Sequence, residues 1–217
     1  MAMGTDFGGV HSDQDLHLIQ QSVDVQPAQP KTNYIDIPGA DGSKDLSEQP
    51  AGRVVFKDRK ITWTFALYPG DSWDEKHREV SDALNGRACN ITLDTDPEFY
   101  YTGRLAVSKY KYTKALRQIT VEAVCRPYKH KQMETEVTSS LGTSYVNLYL
   151  FNSRKPVVPT ITVTAPTTLR WKGDTYSLNA GTHKVLDVEL QQGENALEAR
   201  VTSGTGSITV TYREGAL

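Results

Sequence analysis

Apolar and polar residues alternate with period two over most of this chain, and that period predicts strands far more often than helices. Ile61, Trp63, Phe65 and Leu67 alternate strictly with Thr62, Thr64 and Ala66. With Val54 and Phe56 before a Lys57-Asp58-Arg59 turn, the stretch 52–68 reads as a hairpin with one face toward a core. Residues 15–25 place Leu16 and Leu18 two apart, then Val23 and Val25, with an offset near Gln20–Ser22. That pattern predicts two short strands or one bulged strand. Further strands are expected at 88–93, 98–108 and from Ile119 to Cys125, with a turn at Asp94–Pro97 and a basic-aromatic connection from Lys109 to Leu116. One helix is expected. Trp73, His77, Val80 and Leu84 share a 3.6-residue face, Asp71 or Ser72 can cap its start, and Gly86 suits its end.

Past Lys129-His130-Lys131 the chain becomes rich in Thr, Ser and Val. Seven short strands are expected there, at 144–150, 160–164, 167–171, 175–178, 183–190, 195–201 and 206–212, which is the spacing of a sandwich or jelly roll. The reading is a mainly β protein of two domains. Residues 1–132 form an antiparallel β-sandwich or split barrel with one α-helix, and residues 133–217 form a small β-sandwich.

Composition narrows the function more by exclusion than by assignment. The 217 residues carry a net charge of −2, which excludes a strongly basic nucleic-acid binder. No apolar run reaches the ~18–20 residues of a membrane span, and no secretory signal is expected in the first fifteen residues. Charge is uneven, however. Residues 1–50 hold two basic and eight acidic side chains, net −6, whereas residues 51–135 hold fifteen basic and eleven acidic, net +4. Such opposite signs can complement one another within the fold or between copies.

Candidate chemistry is sparse. Cys89 and Cys125 lie in strand-like runs and read as buried thiols. No metal-ligand spacing appears. Asp94, Asp96 and Glu98 lack the glycine and the final glutamate that a calcium loop requires, and Pro97 marks that stretch as a turn. His77 has no nucleophile motif beside it and reads as a packing residue. Lys109 to Lys114, KYKYTK, could stack on single-stranded nucleic acid but reads better as a solvated hairpin end. No catalytic, cofactor or metal site is expected, and no enzyme activity.

Several stretches, taken in order, resemble the distal tail proteins (Dit) of long, non-contractile-tailed bacteriophages. Phe7 to Ser12 is similar to the family's opening FxGxHS-type element. Asn33 to Glu48, NYIDIPGADGSKDLSE, is similar to its (V/I)PGxDGxxDLTE-type stretch, with Ser47 where Thr is usual. Gly52-Arg53-Val54, ITWTFAL, an acidic helix ending in Leu84-Asn85-Gly86, LDTDPEFYYTGRL and ITVEAVCRPYK follow. The resemblance covers about residues 5–130.

It implies a virion structural protein of the siphophage tail tip, assembled in the host bacterial cytoplasm. Six copies would form a homohexameric ring joining the tail tube protein to the tail-tip hub or tail-associated protein. The ring would belong to the baseplate and could carry receptor-binding proteins for host recognition. The C-terminal sandwich would be of galectin-like or jelly-roll type. Ile35, Ile37, Pro38, Gly39, Asp41 and Gly42 are the candidate oligomer interface, because Pro38 and the two glycines can hold a fixed turn without a helix. The alternative is a carbohydrate-binding sandwich aiding adhesion to the host surface, with Trp171 and Tyr176 as a stacking platform. An exposed Trp171 beside a groove favours that alternative, and a Trp171 packed in the core does not.

Overall fold

A computed structural model describes residues 3–113 and 116–217. The fold is mainly β, with one helix among the described residues, and divides into two compact units, 1–129 and 130–217.

The first unit contains β1 (Thr5–Phe7), β2 (Leu18–Val25), β3 (Tyr34–Asp36), β4 (Ser43–Asp45), β5 (Arg59–Leu67), α1 (Trp73–Leu84), β6 (Ala88–Leu93), β7 (Phe99–Thr113) and β8 (Leu116–Cys125). Six of these strands make one antiparallel sheet in the order β1-β6-β7-β8-β5-β2. The sheet curls until its ends meet. On β1, the Thr5 hydroxyl donates to Gln20 Oε1 of β2 at 2.7 Å, and the Thr5 amide donates to the Ser12 hydroxyl at 3.0 Å. All three side chains are buried, so their polar atoms need these partners. Inside the curl, Phe7 meets Trp63 edge-on at 5.1 Å between ring centroids, with Phe65, Ile91, Leu105, Ile119 and Val121 around them.

β5 alternates buried and half-buried positions along its whole length, as its sequence requires. β2 is one strand whose register against β5 slips between Gln20 and Ser22, so the offset in the apolar pattern is a bulge. The expected 52–68 hairpin is not formed. β5 pairs with β2 and β8, and Phe56 makes only an isolated bridge to Pro30. Arg59, expected in a turn, opens β5 and is buried. α1 starts after Ser72, buries Val80 and Leu84, and is followed by Gly86 at φ +80°. The expected connection from Lys109 is in fact β7 continuing to Thr113, while its Lys114 and Ala115 lie outside the described residues.

Gly103 on β7 sits between Cys89 of β6 and Cys125 of β8, each its register partner. Cys125 is buried and Cys89 half-buried, and both are free thiols. Two strand spacings put their Cα atoms roughly 9–10 Å apart, beyond the reach of a disulfide. Burial pushes the Cys125 thiol up to about 12, against the opposing pull of Arg59.

The short β9 (Lys129–Lys131) lies across the division between the units. The second unit holds β10 (Thr135–Leu141), β11 (Val146–Asn152), β12 (Thr160–Val163), β13 (Thr167–Trp171), β14 (Asp174–Leu178), β15 (Gly181–His183), β16 (Gly193–Val201), β17 (Gly206–Tyr212) and β18 (Gly215–Ala216). Two four-stranded antiparallel sheets, β10-β17-β12-β15 and β11-β16-β13-β14, enclose one core that includes Leu150, Ile161, Leu169, Leu197, Ile208 and Val210. This is a β-sandwich. The expected strand at 183–190 shrinks to β15, and Val188 and Leu190 enter the core from irregular backbone. β10 was not expected. On the outer face of the first sheet, Thr138, Thr209, Thr162 and Thr182 stand in one row across all four strands. The hydroxyls of Thr138 and Thr209, and those of Thr162 and Thr182, lie 3.0 Å apart.

Glu214 closes this unit. Only 3% exposed, its carboxylate accepts from Lys131 Nζ at 2.6 Å, from the Thr135 hydroxyl at 2.8 Å and from the Ser153 hydroxyl. Burial alone would raise its pKa, but these three donors and the Lys131 charge outweigh burial and hold it below the usual carboxylate value. A depressed folded pKa stabilises the fold above the unfolded pKa, near 4.3, and that contribution is lost as pH falls through the folded value. Glu214→Ala should therefore cost about 2 kcal/mol at neutral pH. In urea titrations its deficit against wild type should narrow as the pH is lowered below 4; a pH-independent deficit contradicts this account.

Candidate interaction surface

Between β2 and β5 the chain leaves the curled sheet as an arm. Its root is held by backbone bonds, from the Lys31 amide to the Val55 carbonyl at 2.8 Å and from the Lys57 amide to the Gln29 carbonyl at 2.7 Å. Beyond the root, every residue from Lys31 to Asp45 is exposed. β3 and β4 pair as Tyr34 with Asp45, Ile35 with Lys44 and Asp36 with Ser43. Side chains brace the pair. The Asn33 amide donates to the Ser47 hydroxyl at 2.8 Å, the Ser43 hydroxyl donates to Asp36 at 2.6 Å, and Ser47 donates to Asp45 through its amide and its hydroxyl. These two bonds to Ser47 lower the Asp45 pKa.

The arm's tip explains its Pro-Gly sequence. The Ala40 amide donates to the Ile37 carbonyl at 3.1 Å, closing a turn with Pro38 and Gly39 at its centre. Gly39 has φ +83°, so the turn is the type II form that favours Pro then Gly. Gly42 has φ +75° and also needs glycine. The six interface candidates thus lie together at the tip and along the first strand of one exposed hairpin.

This hairpin displays apolar surface to solvent. Tyr34 is 59% exposed, Ile35 47% and Ile37 48%, and Val54 on the returning chain is exposed as well. A three-residue strand pair is marginal in water by itself. Exposed β-branched and aromatic side chains on such an element make it a candidate interaction surface.

The other candidate positions are occupied by structural work. His11 Nδ1 faces the amides of Asp13 and Gln14 at 3.3 and 3.2 Å, so the ring proton belongs on Nε2, which meets both Asp94 oxygens at 3.3 Å. Asp94 also accepts from the Gly4 amide at 3.0 Å, and Asp96 is paired with Lys129 at 2.6 Å. These carboxylates therefore diverge, and no cluster of three metal-ligating side chains occurs among the described residues. His77 packs between Trp73 and Tyr110, 4.3 Å from the latter's ring centroid.

In the second unit, Trp171 is 4% exposed and belongs to the sandwich core. Tyr176 is half-buried, and its hydroxyl is shifted upward by that burial and by Asp187 and Asp174. Trp171 therefore presents no broad ring face for stacking. Arg59 escaped notice as a candidate in the sequence. It occupies the alternate position before Ile61 and Trp63, and that periodicity was the signal that it points inward.

No family model and no curated protein matches this chain. A search of solved structures finds similarity to the crystal structure of the Dit protein (gp 19.1) of SPP1, described as a paradigm of the hub adsorption apparatus in Gram-positive infecting phages. The two share 18% sequence identity and a TM-score of 0.67, over 100% of each chain. From end to end, this chain has the fold of that distal tail protein.

Proposed function

We propose that this protein is a structural component of a phage tail tip, a distal tail protein whose copies close into a hexameric ring between the tail tube and the tail-tip hub. The observation that carries the reading is the full-length fold similarity to a protein of a phage adsorption hub. The arm supports it physically. A ring requires a heterologous contact, in which one patch of each copy meets a different patch of the next. An exposed apolar hairpin on a rooted stalk is suited to serve as one such patch, and the charge difference between residues 1–50 and 51–135 supplies a second complementarity.

Residues 1–132 carry the ring in this reading, and residues 133–217 are a scaffold on which receptor-binding or baseplate proteins can be hung. The alternative, a saccharide-binding sandwich, loses support from the burial of Trp171. No catalytic arrangement stands out among the described residues. The native mass in solution is the direct test. Light scattering after size exclusion should give six chains per particle, at high concentration or after the tube and hub partners are added. A chain that remains monomeric under both conditions refutes the ring.

A further inference from the structure

Arg59 is 6% exposed, its Nε has no hydrogen-bond partner, and no ion pair reaches it among the described residues. Its guanidinium carbon lies 5.5 Å from the centroid of the Tyr101 ring, which covers one face and supplies no acceptor. A cation taken out of water normally keeps a carboxylate or several carbonyls, because desolvation without them is costly. The planar fork of a guanidinium matches an oxyanion best, bonded through two parallel N–H groups.

The position of Arg59 indicates where that anion comes from. It is the first residue of β5, paired with Cys125, and the Lys57 amide two residues earlier anchors the root of the arm. Arg59 thus lies in the basic stretch, net +4, while the acidic stretch, net −6, contains the arm. Of the arm's acids, Asp36 is bound by Ser43 and Asp45 by Ser47, and of the exposed remainder, Asp41, Glu48 and Asp58, only Asp41 lies at the tip. Asp41 stands in the exposed tip, after the Pro38-Gly39 turn, and joins no ion pair among the described residues.

We propose that Arg59 is the seat for the Asp41 carboxylate of a neighbouring copy, so that each arm tip neutralises the buried cation at the root of the next arm. This rests on the ring reading above and makes it residue-specific. The contact is head-to-tail, as a closed ring demands.

Arg59→Met, Asp41→Asn and the double variant test it, with association measured by sedimentation over a dilution series and stability by urea titration of the dilute, dissociated chain. Each single variant should weaken association by about thirtyfold or more, and the double variant should be no weaker than the worse single one. Arg59→Met should at the same time leave the dissociated chain as stable as wild type or more so, because an apolar side chain replaces an unpaired buried charge. A purely internal role for Arg59 gives the reverse, lower stability with unchanged association, and overturns the proposal. Additive losses, or an inert Asp41→Asn, overturn the pairing. If inorganic phosphate stabilises wild type but not Arg59→Met while association is insensitive to both substitutions, the seat takes a free anion and the second copy is not its source. A wild-type chain that never associates refutes the ring itself, an outcome distinct from all of these.

Discussion

If copies close into the proposed ring, Ile37→Asp is expected to abolish that assembly at concentrations where wild type forms it, while leaving the far-UV circular dichroism of the chain unchanged. Ile37 is 48% exposed and makes no part of either core. Its own subunit therefore loses little when the side chain changes. In a stable contact of at least ~1,000 Å², however, that side chain would be covered. Losing an apolar anchor removes about 1.5–3 kcal/mol, and stranding a carboxylate at the interface adds to the loss. Association should weaken by about a hundredfold or more, read as a shift of native mass toward the single chain. Unfolding of the variant would instead assign Ile37 to its own subunit's stability and move the contact elsewhere.

The second large effect is internal. Gly103→Ala should destabilise the first unit by about 1–3 kcal/mol, the range for overpacking. A Cβ at this position would meet Cys125 Sγ at 2.5 Å, the Val124 carbonyl oxygen at 2.7 Å and Cys125 Cα at 3.0 Å. Two of these three are backbone atoms, so no change of rotamer relieves the clash. Gly103→Ala with Cys125→Ala should recover only part of the loss, because the Val124 oxygen stays in place. Full recovery in a thermal melt would show that the thiol alone sets the limit.

Much of the fold was legible because the cores are built on simple periods. The alternation from Ile61 to Leu67, the 3.6-residue face of α1 and even the slip at Gln20–Ser22 all appear as read. The failures have physical causes. Val54 and Phe56 mimic half a hairpin, but β5 is paired on both sides by strands distant in sequence, and a local pattern cannot reveal that. β10 hid because Thr135 and Ser139 occupy its inward positions alongside Val137 and Leu141, so polar residues blur the contrast between faces. The stretch 183–190 misled in the opposite way, since Val188 and Leu190 are buried without a ladder. At the site, Pro38, Gly39 and Gly42 announced a fixed turn. What they could not announce was the exposure of Tyr34, Ile35 and Ile37, which depends on the arm standing clear of the curled sheet.

The threonine row on the second unit has a consequence for how its surface behaves. Thr138 with Thr209 and Thr162 with Thr182 satisfy much of one another's hydrogen bonding, so this face holds its polarity inward and offers methyl groups and neutral hydroxyls outward. The row itself carries no charge for counter-ions to screen, although Glu136 stands exposed beside it on the same face. A contact made through the row would change little as salt rises, whereas attraction between acidic and basic stretches fades. Salt dependence thus tells a contact made through this row from one made through opposite charges.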